Sequence, residues 1–494
     1  MAQQPITLNV SQPDQDWPNS VTYHIFVCSF SDGNGDGIGD LKGITAKWDY
    51  LRKLGAEAIL ISPVFASPSY HKYDVTDYNK LSPEYGNIES FQYFLKDAHA
   101  EGFKVILDIP LNHCSSKHPW FLEAVKNPAS AMRNYFLWSN NPPATEKDKW
   151  HLPKDEKGNT VGKAYYYGFF SPEMPDWNYD NTQVVEEAQR ILKFWIDLGV
   201  DGFRLDAAQH IFNDHIKNVG FWNMISAYVR SINKHIFLVG EVDNSSDVVA
   251  PYLKPLDACF DFDLSREVVQ SLKNENAGNF PVRMEKIITH YKTANKDYRD
   301  VIFLTNHDQN RLMSEVGNNV DKAKLAANIL FTLPGIPYIY YGEEIGMKGE
   351  KPDEFIREPM LFAPEKEDEM RPKWMKPKYS TDKTVEPAMV QIKEDQSLWN
   401  HYSRIISLRK DNRALQYGQF ENSSLSNKSI MAYYRIYNQM RVLIINNVSA
   451  TAVTLTKEEK DNELVNPIFQ TSKQTTVKGN KITVAPYSTI ILTN

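Results

Sequence analysis

The chain has 494 residues, of which 42% are hydrophobic and 24% are charged, and its formal net charge is −7. This is the composition of an ordinary globular protein, and at about 150 residues per domain the length predicts roughly three domains. Without a basic excess, nucleic acid is not expected as a partner. The 3 cysteines exclude a disulfide scaffold and match no zinc spacing. No apolar run reaches the length of a membrane span, which is about 18 residues.

Apolar, strand-like runs recur along the chain, with helical patterns such as 184–198 and 322–332 between them. Eight runs are found, at 21–26, 58–61, 105–109, 200–205, 236–239, 258–262, 301–304 and 337–341. Several are continuously apolar, as buried parallel strands are. Eight β/α units are what a (β/α)8 TIM barrel requires, whereas alternation without closure would give a doubly wound sheet. The count favours an α/β chain folded as the barrel.

Two regions depart from this alternation. The connection between the third and fourth runs is too long for a loop, and its residues 112–180 are rich in Trp, Tyr, Pro and Asn, which predicts a small inserted domain. After Arg409, short alternating segments separated by turn residues predict an antiparallel β-sandwich. The predicted barrel therefore consists of two parts, residues 1–111 and 181–410. The predicted insertion after strand 3 is 112–180, and the predicted C-terminal sandwich is 411–494.

An acidic, glycine-rich loop follows the first predicted strand. Oxygen-bearing side chains alternate with glycines at Asp32, Asn34, Asp36 and Asp40, and the carbonyl of Ile38 can supply a further oxygen. Ca²⁺ prefers such oxygen ligands, and glycine lets the chain fold tightly around the ion. The pattern resembles the first nine positions of an EF-hand loop, although the twelfth position is a glycine. The alternative is a plain acidic turn without a metal.

Carboxylates and histidines follow four of the predicted strands. In barrel enzymes the catalytic groups converge at the C-terminal ends of the strands. One polar residue after a strand is usually a helix cap or loop residue, but four such ends on four strands predict a catalytic site. The residues concerned are Asp108, Asn112 and His113 at the end of strand three, Arg204 and Asp206 at the end of strand four, Glu241 after strand five, and His307 and Asp308 after strand seven.

The spacing on strand four adds a chemical detail. Arg204 and Asp206 are two residues apart, so both side chains point to the same side, and the guanidinium should depress the pKa of Asp206 and keep it ionised. Two carboxyls flanking a bond, one ionised and one able to carry a proton, are the apparatus of glycoside hydrolysis. The sequence does not give the separation of the two carboxyls.

These motifs resemble those of the alpha-amylase family, glycoside hydrolase family 13, and the resemblance extends from about Trp17 to the C-terminus. The segments 108–113, 202–210, 240–241 and 306–308 resemble the four characteristic regions of the family. The resemblance implies a retaining mechanism in which Asp206 is the nucleophile, Glu241 the acid and base, and Asp308 a sugar-binding carboxylate. It also implies a sugar subsite lined by Tyr73, His113, Arg204, His307 and His210.

The resemblance extends to a subgroup. The segment from Met174 to Asn178 is similar to one in the group intermediate between alpha-amylases and oligo-1,6-glucosidases, although Trp177 replaces a leucine. His210 is amylase-like. In amylases, residues similar to Asn112, Asp176 and His210 hold a second calcium between the barrel and the insertion, so the resemblance implies that site too. The alternative is that the three residues form local hydrogen bonds.

At two places the sequence departs from related enzymes in ways that concern substrate specificity. Gln209 stands where many amylases have a lysine that touches the leaving-side sugars. The segment 69–72 lacks the acidic residue that exo-acting 1,6-glucosidases place there, which favours endo attack on α-1,4 chains. The leading hypothesis is an endo-acting, Ca²⁺-containing alpha-amylase acting on starch and maltooligosaccharides. The alternatives are a 4-α-glucanotransferase, an α-glucosidase or oligo-1,6-glucosidase, and, more remotely, a non-catalytic glucan-binding relative.

The sequence also supports expectations about the cellular setting. Residues 1–5 are polar and carry no apolar signal segment, which fits either a cytoplasmic protein or the removal of a signal. A polymeric substrate and the use of calcium favour an extracytoplasmic location over a cytoplasmic one. The expected partner is an α-glucan, without nucleic acid or a membrane span, and the protein is expected to be a monomer.

Overall fold

A computed structural model of the protein describes residues 17–155 and 157–494. The expectation about a signal segment falls on residues outside this range. Eight parallel strands form a closed barrel in which each strand pairs with its neighbours in chain order and the eighth returns to the first. In chain order the barrel strands are Thr22–Ile25, Ala58–Ile61, Lys104–Pro110, Gly202–Asp206, Phe237–Gly240, Ala258–Phe260, Arg299–Ile302 and Ile336–Tyr340. All eight predicted runs are confirmed, and closure excludes the doubly wound alternative.

Helices surround the barrel and bury one face against it. The helix Thr182–Leu198 shows how local sequence sets such an element: the side chain of Asn181 accepts from the backbone N–H of Gln183, and Gly199, at φ +108°, ends the helix. The other helices around the barrel are Trp48–Leu54, Ile88–Ala100, His215–Ile232, Phe262–Asn274, Phe280–Ala294, Val320–Thr332 and Leu398–Asp411, and the shorter ones are Val27–Phe30, Leu41–Thr45, Ser246–Val249, Leu312–Glu315, Asp353–Ile356, Ala388–Gln391 and Arg413–Tyr417.

Strand register brings the first charged residues together. Asp108 on barrel strand 3 lies beside Arg204 on barrel strand 4, and Arg204 lies beside Val239 on barrel strand 5. Below this level the interior is filled by apolar side chains such as Leu60, Phe237 and Tyr338, so the barrel is a packed core rather than a pore. The polar layer therefore begins where the apolar filling ends.

The predicted insertion is a small aromatic body between barrel strand 3 and the helix Thr182–Leu198. It contains the helix Pro119–Lys126 and an antiparallel sheet of Trp138–Ser139, Tyr165–Tyr167 and Trp150–His151. Most of its rings pack on one another: Trp177 stacks on Phe136 with ring centroids 5.1 Å apart and is 5% exposed. The tryptophan that replaces leucine in the motif 174–178 therefore fills the core of the insertion.

A second long excursion, which the sequence reasoning did not single out, lies between barrel strand 8 and the helix Leu398–Asp411. Residues 341–397 contain only short helices and cross the C-terminal face of the barrel. A short antiparallel pair, Phe65–Ala66 with Asp77–Leu81, stands beside barrel strand 2. These two features supply further walls of the site described below.

The C-terminal region forms two antiparallel sheets. The larger sheet contains Gln419–Asn422, Ile430–Tyr437, Met440–Asn447, Ser488–Thr493 and Asn466–Gln470, and the smaller one contains Val453–Thr456, Lys481–Val484 and Thr476–Lys478. Apolar side chains such as Ile445, Ile482 and Ile490 pack in a core of their own. Five of these strands match the predicted segments. The three that the sequence reasoning missed are mostly exposed and carry little apolar alternation.

Two further findings concern the cysteines and the helices of the described residues. Cys28, Cys114 and Cys259 are buried and free, in keeping with the exclusion of a disulfide scaffold. Among the helices of residues 17–155 and 157–494, none combines the length and the apolar character needed to cross a bilayer.

Candidate active site

A cleft of about 290 Å³ opens at the C-terminal ends of the barrel strands. It lies where the barrel, the insertion and residues 341–397 meet. Its lining brings together three carboxylates from three strand ends with side chains from the insertion and the last excursion. The residues are Asp206, Glu241, Asp308, His71, Tyr73, His113, Phe170, Met174, Lys351, Asp353 and Arg357.

One guanidinium organises the carboxylates. Arg204 is 2% exposed, and its Nη1 donates to Asp206 Oδ1 at 2.5 Å and to Asp108 Oδ1 at 2.8 Å. Its Nη2 lies 2.7 Å from Glu241 Oε1. Because Asp206 and Glu241 contact adjacent nitrogens of one planar group, their carboxyls are held close together. The predicted contact of Arg204 with Asp206 is present, and Arg204 also reaches Glu241 and Asp108.

Glu241 is set up to carry a proton. Burial raises the pKa of Glu241 to about 8, although Arg204 opposes this rise, and the negative charges of Asp206 and Asp308 add to it. Its Oε2 accepts from the backbone N–H of Ala207 at 2.9 Å, which fixes the orientation of the carboxyl. A carboxyl that is protonated near neutral pH and faces a cleft can serve as a general acid.

Asp308 has the opposite electrostatic setting. Burial acts to raise its pKa, but His307, Arg357 and Arg204 outweigh that effect and hold the pKa of Asp308 well below its ordinary value. His307 Nε2 lies 3.1 Å from Asp308 Oδ2, and Arg357 Nη2 donates to Asp308 Oδ1 at 2.9 Å. The side chain is 44% exposed. Asp308 therefore offers an ionised, accessible carboxylate to a ligand.

An aromatic and imidazole wall faces these carboxylates. The rings of Tyr73 and His307 stack with centroids 5.5 Å apart and an interplanar angle of 6°. The hydroxyl of Tyr73 donates to Asp108 Oδ2 at 2.8 Å and lies 2.6 Å from His307 Nε2. Asp108 is fully buried behind this wall, and its burial raises its pKa to about 6 in spite of Arg204. Tyr73 and His307 are thus fixed before any ligand arrives.

The other two predicted histidines lie in different places. His113 lines the cleft; its Nδ1 lies 3.0 Å from Asn112 Oδ1, and its buried Nε2 has no hydrogen-bond partner among the described residues. His210 lies outside the cleft lining and borders a neighbouring cavity, where its ring stacks on Phe169 with centroids 4.0 Å apart. Burial lowers the pKa of His210 to about 4, so the ring is neutral at pH 7.

Arg357 is a site residue that the sequence reasoning missed. It contacts Asp308, donates through Nε to the carbonyl of His307 at 2.8 Å, and donates through Nη1 to the hydroxyl of Tyr70 at 3.1 Å. The ring of Tyr70 in turn stacks on Trp374, with centroids 4.8 Å apart. Arg357 follows no predicted strand, and the length of the gap after barrel strand 8 was the only pattern that could have pointed to its segment.

The acidic loop Asp32–Asp40 is folded by its own side chains. Asp32 accepts through Oδ1 from the backbone N–H of Gly35 at 2.6 Å and through Oδ2 from that of Gly37 at 2.7 Å, and Asp36 Oδ1 accepts from that of Ile38 at 2.8 Å. Gly37 has φ +92°, a conformation that suits glycine. The loop is thus a tight turn whose carboxylates are held by backbone donors.

The loop fits a hard cation by its donor set. Asp40 Oδ1 accepts from the backbone N–H groups of Gly33 and Gly43, whereas its buried Oδ2 has no partner among the described residues. Burial raises the pKa of Asp40, and the charges of Asp32 and Asp36 add to that rise. Across residues 17–155 and 157–494, no three His, Cys, Asp or Glu side chains cluster as a metal site. The fit therefore depends on carboxylate, amide and carbonyl oxygens together.

The three residues implied for a second metal also converge. Asn112 Nδ2 donates to the carbonyl of His210 at 2.5 Å and to Asp176 Oδ2 at 3.3 Å. Asp176 Oδ1 accepts from the backbone N–H of Phe169 at 3.0 Å, and burial raises the pKa of Asp176 to about 8. The local hydrogen bonds that formed the alternative interpretation are thus present, and they join the barrel to the insertion.

Comparison with known proteins finds similar chains along most of the sequence. Residues 24–418 match the family model of the alpha-amylase catalytic domain, and residues 430–491 match that of the alpha-amylase SusG C-terminal domain. Alpha-amylase 3 of Dictyoglomus thermophilum is 38% identical, covering 96% of this chain and 93% of that protein. A 4-alpha-glucanotransferase of Thermotoga neapolitana is 35% identical, covering 87% and 96%. The crystal structure of an alpha-amylase from H. orenii has a TM-score of 0.86 at 37% identity, covering 96% and 99%.

Proposed function

Since the chain belongs to the alpha-amylase family of glycoside hydrolases, we propose that it is a retaining, endo-acting enzyme that cleaves α-1,4-glucosidic bonds in starch and maltooligosaccharides. The observation that carries this proposal is the arrangement of Asp206 and Glu241 on the two terminal nitrogens of Arg204. Retaining glycosidases need two carboxyls close together, one ionised and one protonated. The raised pKa of Glu241 and its access to the cleft supply the protonated member.

In the first half of the reaction, Asp206 attacks the anomeric carbon of the sugar bound beside Tyr73. The bond from that carbon to the glycosidic oxygen breaks, and Glu241 gives its proton to the departing oxygen. The product is a sugar joined to Asp206 by an ester bond. Asp308 accepts hydrogen bonds from the sugar hydroxyls, and Arg204 stabilises the carboxylates through which charge moves.

In the second half, Glu241 acts as a base. A water molecule gives its proton to the Glu241 carboxylate while its oxygen attacks the anomeric carbon, and Asp206 leaves as a carboxylate. Two displacements at the same carbon return the original configuration. The enzyme is then restored with Glu241 protonated and Asp206 ionised, as at the start.

The absence of an acidic residue directly before Tyr73 supports endo action. Ser69, Tyr70, His71 and Lys72 carry no carboxylate that could hold a chain end, and the amino group of Lys72 is paired with Glu84. The alternatives of glucan transfer and of α-glucosidase or oligo-1,6-glucosidase action share the same intermediate. The glucanotransferase relative supports transfer as the second candidate.

We further propose that the Asp32–Asp40 loop binds one Ca²⁺. The residues that would hold it are Asp32, Asn34, Asp36 and Asp40 with the carbonyl of Ile38, and the unpartnered Asp40 Oδ2 supports this. The ion would supply positive charge among the loop carboxylates. Asn112, Asp176 and the carbonyl of His210 are proposed as a second site. The extracytoplasmic location and the monomeric state stay predictions.

The product profile tests the proposed function. The purified protein is incubated with starch, maltoheptaose and isomaltose, and early products are separated by chromatography. Endo hydrolysis predicts a spread of maltooligosaccharides shorter than the substrate and no cleavage of isomaltose. Glucose as the sole early product would indicate an exo-glucosidase, and products longer than maltoheptaose in excess of hydrolysis would indicate a glucanotransferase. If the purified Asp206→Asn variant kept its full activity, the mechanism would be contradicted.

A further inference from the structure

A second cavity, of about 240 Å³, lies at the opposite end of the barrel from the catalytic cleft. Its floor includes Arg299 and Ile336, the first residues of barrel strands 7 and 8. One wall is the helix Phe280–Ala294, and the other is formed by residues 416–420, which lead into the C-terminal sandwich. The cavity shares no lining residue with the cleft, so the proposed reaction does not use it.

Arg435, on the sandwich strand Ile430–Tyr437, brings a buried positive charge to this cavity. It is 0% exposed, and it donates through Nη1 to the carbonyl of Thr332 at 2.6 Å and through Nε and Nη2 to that of Gly418 at 3.2 and 2.9 Å. These bonds use three of the five N–H groups of a guanidinium, and all of the acceptors are uncharged. Burial lowers the pKa of Arg435, and the charge of Arg409 adds to that fall. An anion in the cavity would compensate this buried charge.

Two further cations line the cavity. Lys292 is exposed on the helix Phe280–Ala294, and Arg299 is half-buried at the start of barrel strand 7. Among the described residues, neither side chain has a hydrogen-bond or ion-pair partner. This positive lining stands out in a chain whose net charge is −7. Unpaired positive charge around a concave surface attracts anions.

The one carboxyl in the described lining does not oppose an anion. Asp300 is 6% exposed and hydrogen-bonds to Asp261, which follows barrel strand 6. Burial raises the pKa of Asp300, and the charge of Asp261 adds to that rise. Two buried carboxyls in contact share a proton. Because Asp300 is the donor of the pair, the negative charge lies on Asp261, which is outside the lining.

The rest of the lining suits a sugar. The rings of Tyr298 and Phe420 and the amides of Gln416 and Gln419 border the cavity, and Phe420 is held by stacking on Tyr433 with centroids 5.1 Å apart. Aromatic rings contact the C–H face of a pyranose, and amides bond to its hydroxyls. The volume suits one sugar ring rather than a chain. Guanidinium groups match the oxygens of a phosphate in geometry as well as in charge.

We propose that this cavity binds a phosphate-bearing monosaccharide, with the phosphate at Arg435, Arg299 and Lys292 and the sugar ring beside Tyr298 and Phe420. The site is remote from the bond-cleaving carboxylates, so the inference does not depend on the proposed function. Arg299 and Lys292 belong to the barrel, whereas Arg435 belongs to the sandwich. A ligand that contacts all three joins the two domains and stabilises the folded protein.

Isothermal titration calorimetry tests the site, with glucose 1-phosphate as the probe. Inorganic phosphate and glucose are titrated in parallel, in phosphate-free buffers of equal ionic strength. The variants are Arg299→Gln, Lys292→Gln and, as a control, Lys296→Gln, whose side chain is 89% exposed in the turn after the same helix. Arg435 is left unchanged because its hydrogen bonds join the sandwich to the barrel. Circular dichroism verifies that each variant is folded.

We expect saturable binding of glucose 1-phosphate to the parent, and Arg299→Gln and Lys292→Gln should each raise its Kd by about threefold to tenfold, the scale of one partly exposed charge contact. Lys296→Gln should match the parent, and glucose should bind more weakly than glucose 1-phosphate. An excess of maltose, as a ligand for the cleft, should leave the titration unchanged.

Three results would overturn the site. They are the absence of saturable binding of glucose 1-phosphate up to about 10 mM, equal Kd values in the parent and in both cavity variants, and displacement of the probe by maltose. A Kd for inorganic phosphate equal to that for glucose 1-phosphate would overturn the sugar contact and identify phosphate alone as the ligand.

Discussion

Glu241 and Glu343 have similarly raised pKa values in very different surroundings. Burial is the first cause for both, and each pKa is raised to about 8. Glu241 opens onto the cleft beside Asp206 and Arg204, whereas Glu343 is 5% exposed and accepts from the hydroxyl of Tyr402 at 3.0 Å. Both follow barrel strands. A raised pKa thus reports burial, and only access to a cleft and a partner carboxylate makes the group useful for catalysis.

The neighbouring Glu344 extends the contrast. It is fully buried at the same strand end, and its Oε1 accepts from the hydroxyls of Tyr23 and Tyr50. The guanidinium of Arg311 lies over the rings of Tyr340 and Tyr341 and acts to lower the pKa of both glutamates. This group, Glu343 and Glu344 with their tyrosines, is a closed polar network, while the cleft carboxylates form an open one.

The largest expected effect separates the two glutamates directly. Glu241→Gln removes the proton donor and should lower kcat on maltoheptaose by about 10²–10⁴-fold, the range for general acid catalysis. Glu343→Gln keeps the hydrogen bonding of a protonated carboxyl and should leave kcat within about twofold. Steady-state kinetics with circular dichroism of each variant make the test. Equal losses in two folded variants would show that burial rather than access decides the role.

The acidic loop is a third carboxylate setting, in which backbone donors hold the charges. If calcium binds there, its addition stabilises the folded protein, by about 2.7 kcal/mol at a hundred times the Kd. We expect calcium to raise the midpoint of thermal unfolding of the parent by several degrees and to have a much smaller effect on Asp40→Asn, which loses the unpartnered oxygen. Asp49→Asn, at a side chain 78% exposed, is the control. Metal analysis after dialysis should find fewer ions on Asp40→Asn, and an equal content would contradict the loop site.

The pH dependence of kcat/KM distinguishes Glu241 from Glu343, although both have a raised pKa. Glu241 must be protonated to act as an acid, so kcat/KM should fall as pH rises through about 8. The charge of Asp308 raises the pKa of Glu241. In Asp308→Asn, the fall of the residual kcat/KM with rising pH should therefore occur at a lower pH than in the parent. Glu343→Gln should leave the limb unmoved. Movement of the limb in Glu343→Gln would assign it to the closed network.

The last prediction concerns the pH dependence of stability. The pKa of Glu343 is raised from its ordinary value of 4.5 to about 8, so the unfolded chain loses this proton first as pH rises. The folded state therefore loses stability between pH 4.5 and 8 on account of this group. Thermal unfolding of Glu343→Gln should show a smaller fall over that range than the parent, and Glu89→Gln, at an exposed position, should show the parental fall. Parallel curves for Glu343→Gln and the parent would contradict the raised pKa.

The features predicted from the sequence were those marked by hydrophobic periodicity or by polar residues at the ends of strands. Eight apolar runs specified the barrel, and Asp206, Glu241 and Asp308 were found because each ends a run. Arg357 was not found, because it lies on an irregular segment whose path depends on packing rather than on a repeat. The strand Asn466–Gln470 was missed for a similar reason, since its mostly exposed residues are held by backbone pairing with Ser488–Thr493.

The segment after barrel strand 8 links two parts of the protein that are distant in the chain. The backbone N–H of Asp32 donates to the carbonyl of Met370 at 2.8 Å, and that of Lys373 donates to the carbonyl of Gly37 at 2.6 Å. The next residue, Trp374, stacks on Tyr70, which accepts from Arg357. The acidic loop and the cleft carboxylate Asp308 therefore contact the same segment. If the loop binds Ca²⁺ and Asp308 binds sugar as proposed, we expect a substitution in 370–374 to change both the cation affinity of the loop and the KM for glucan.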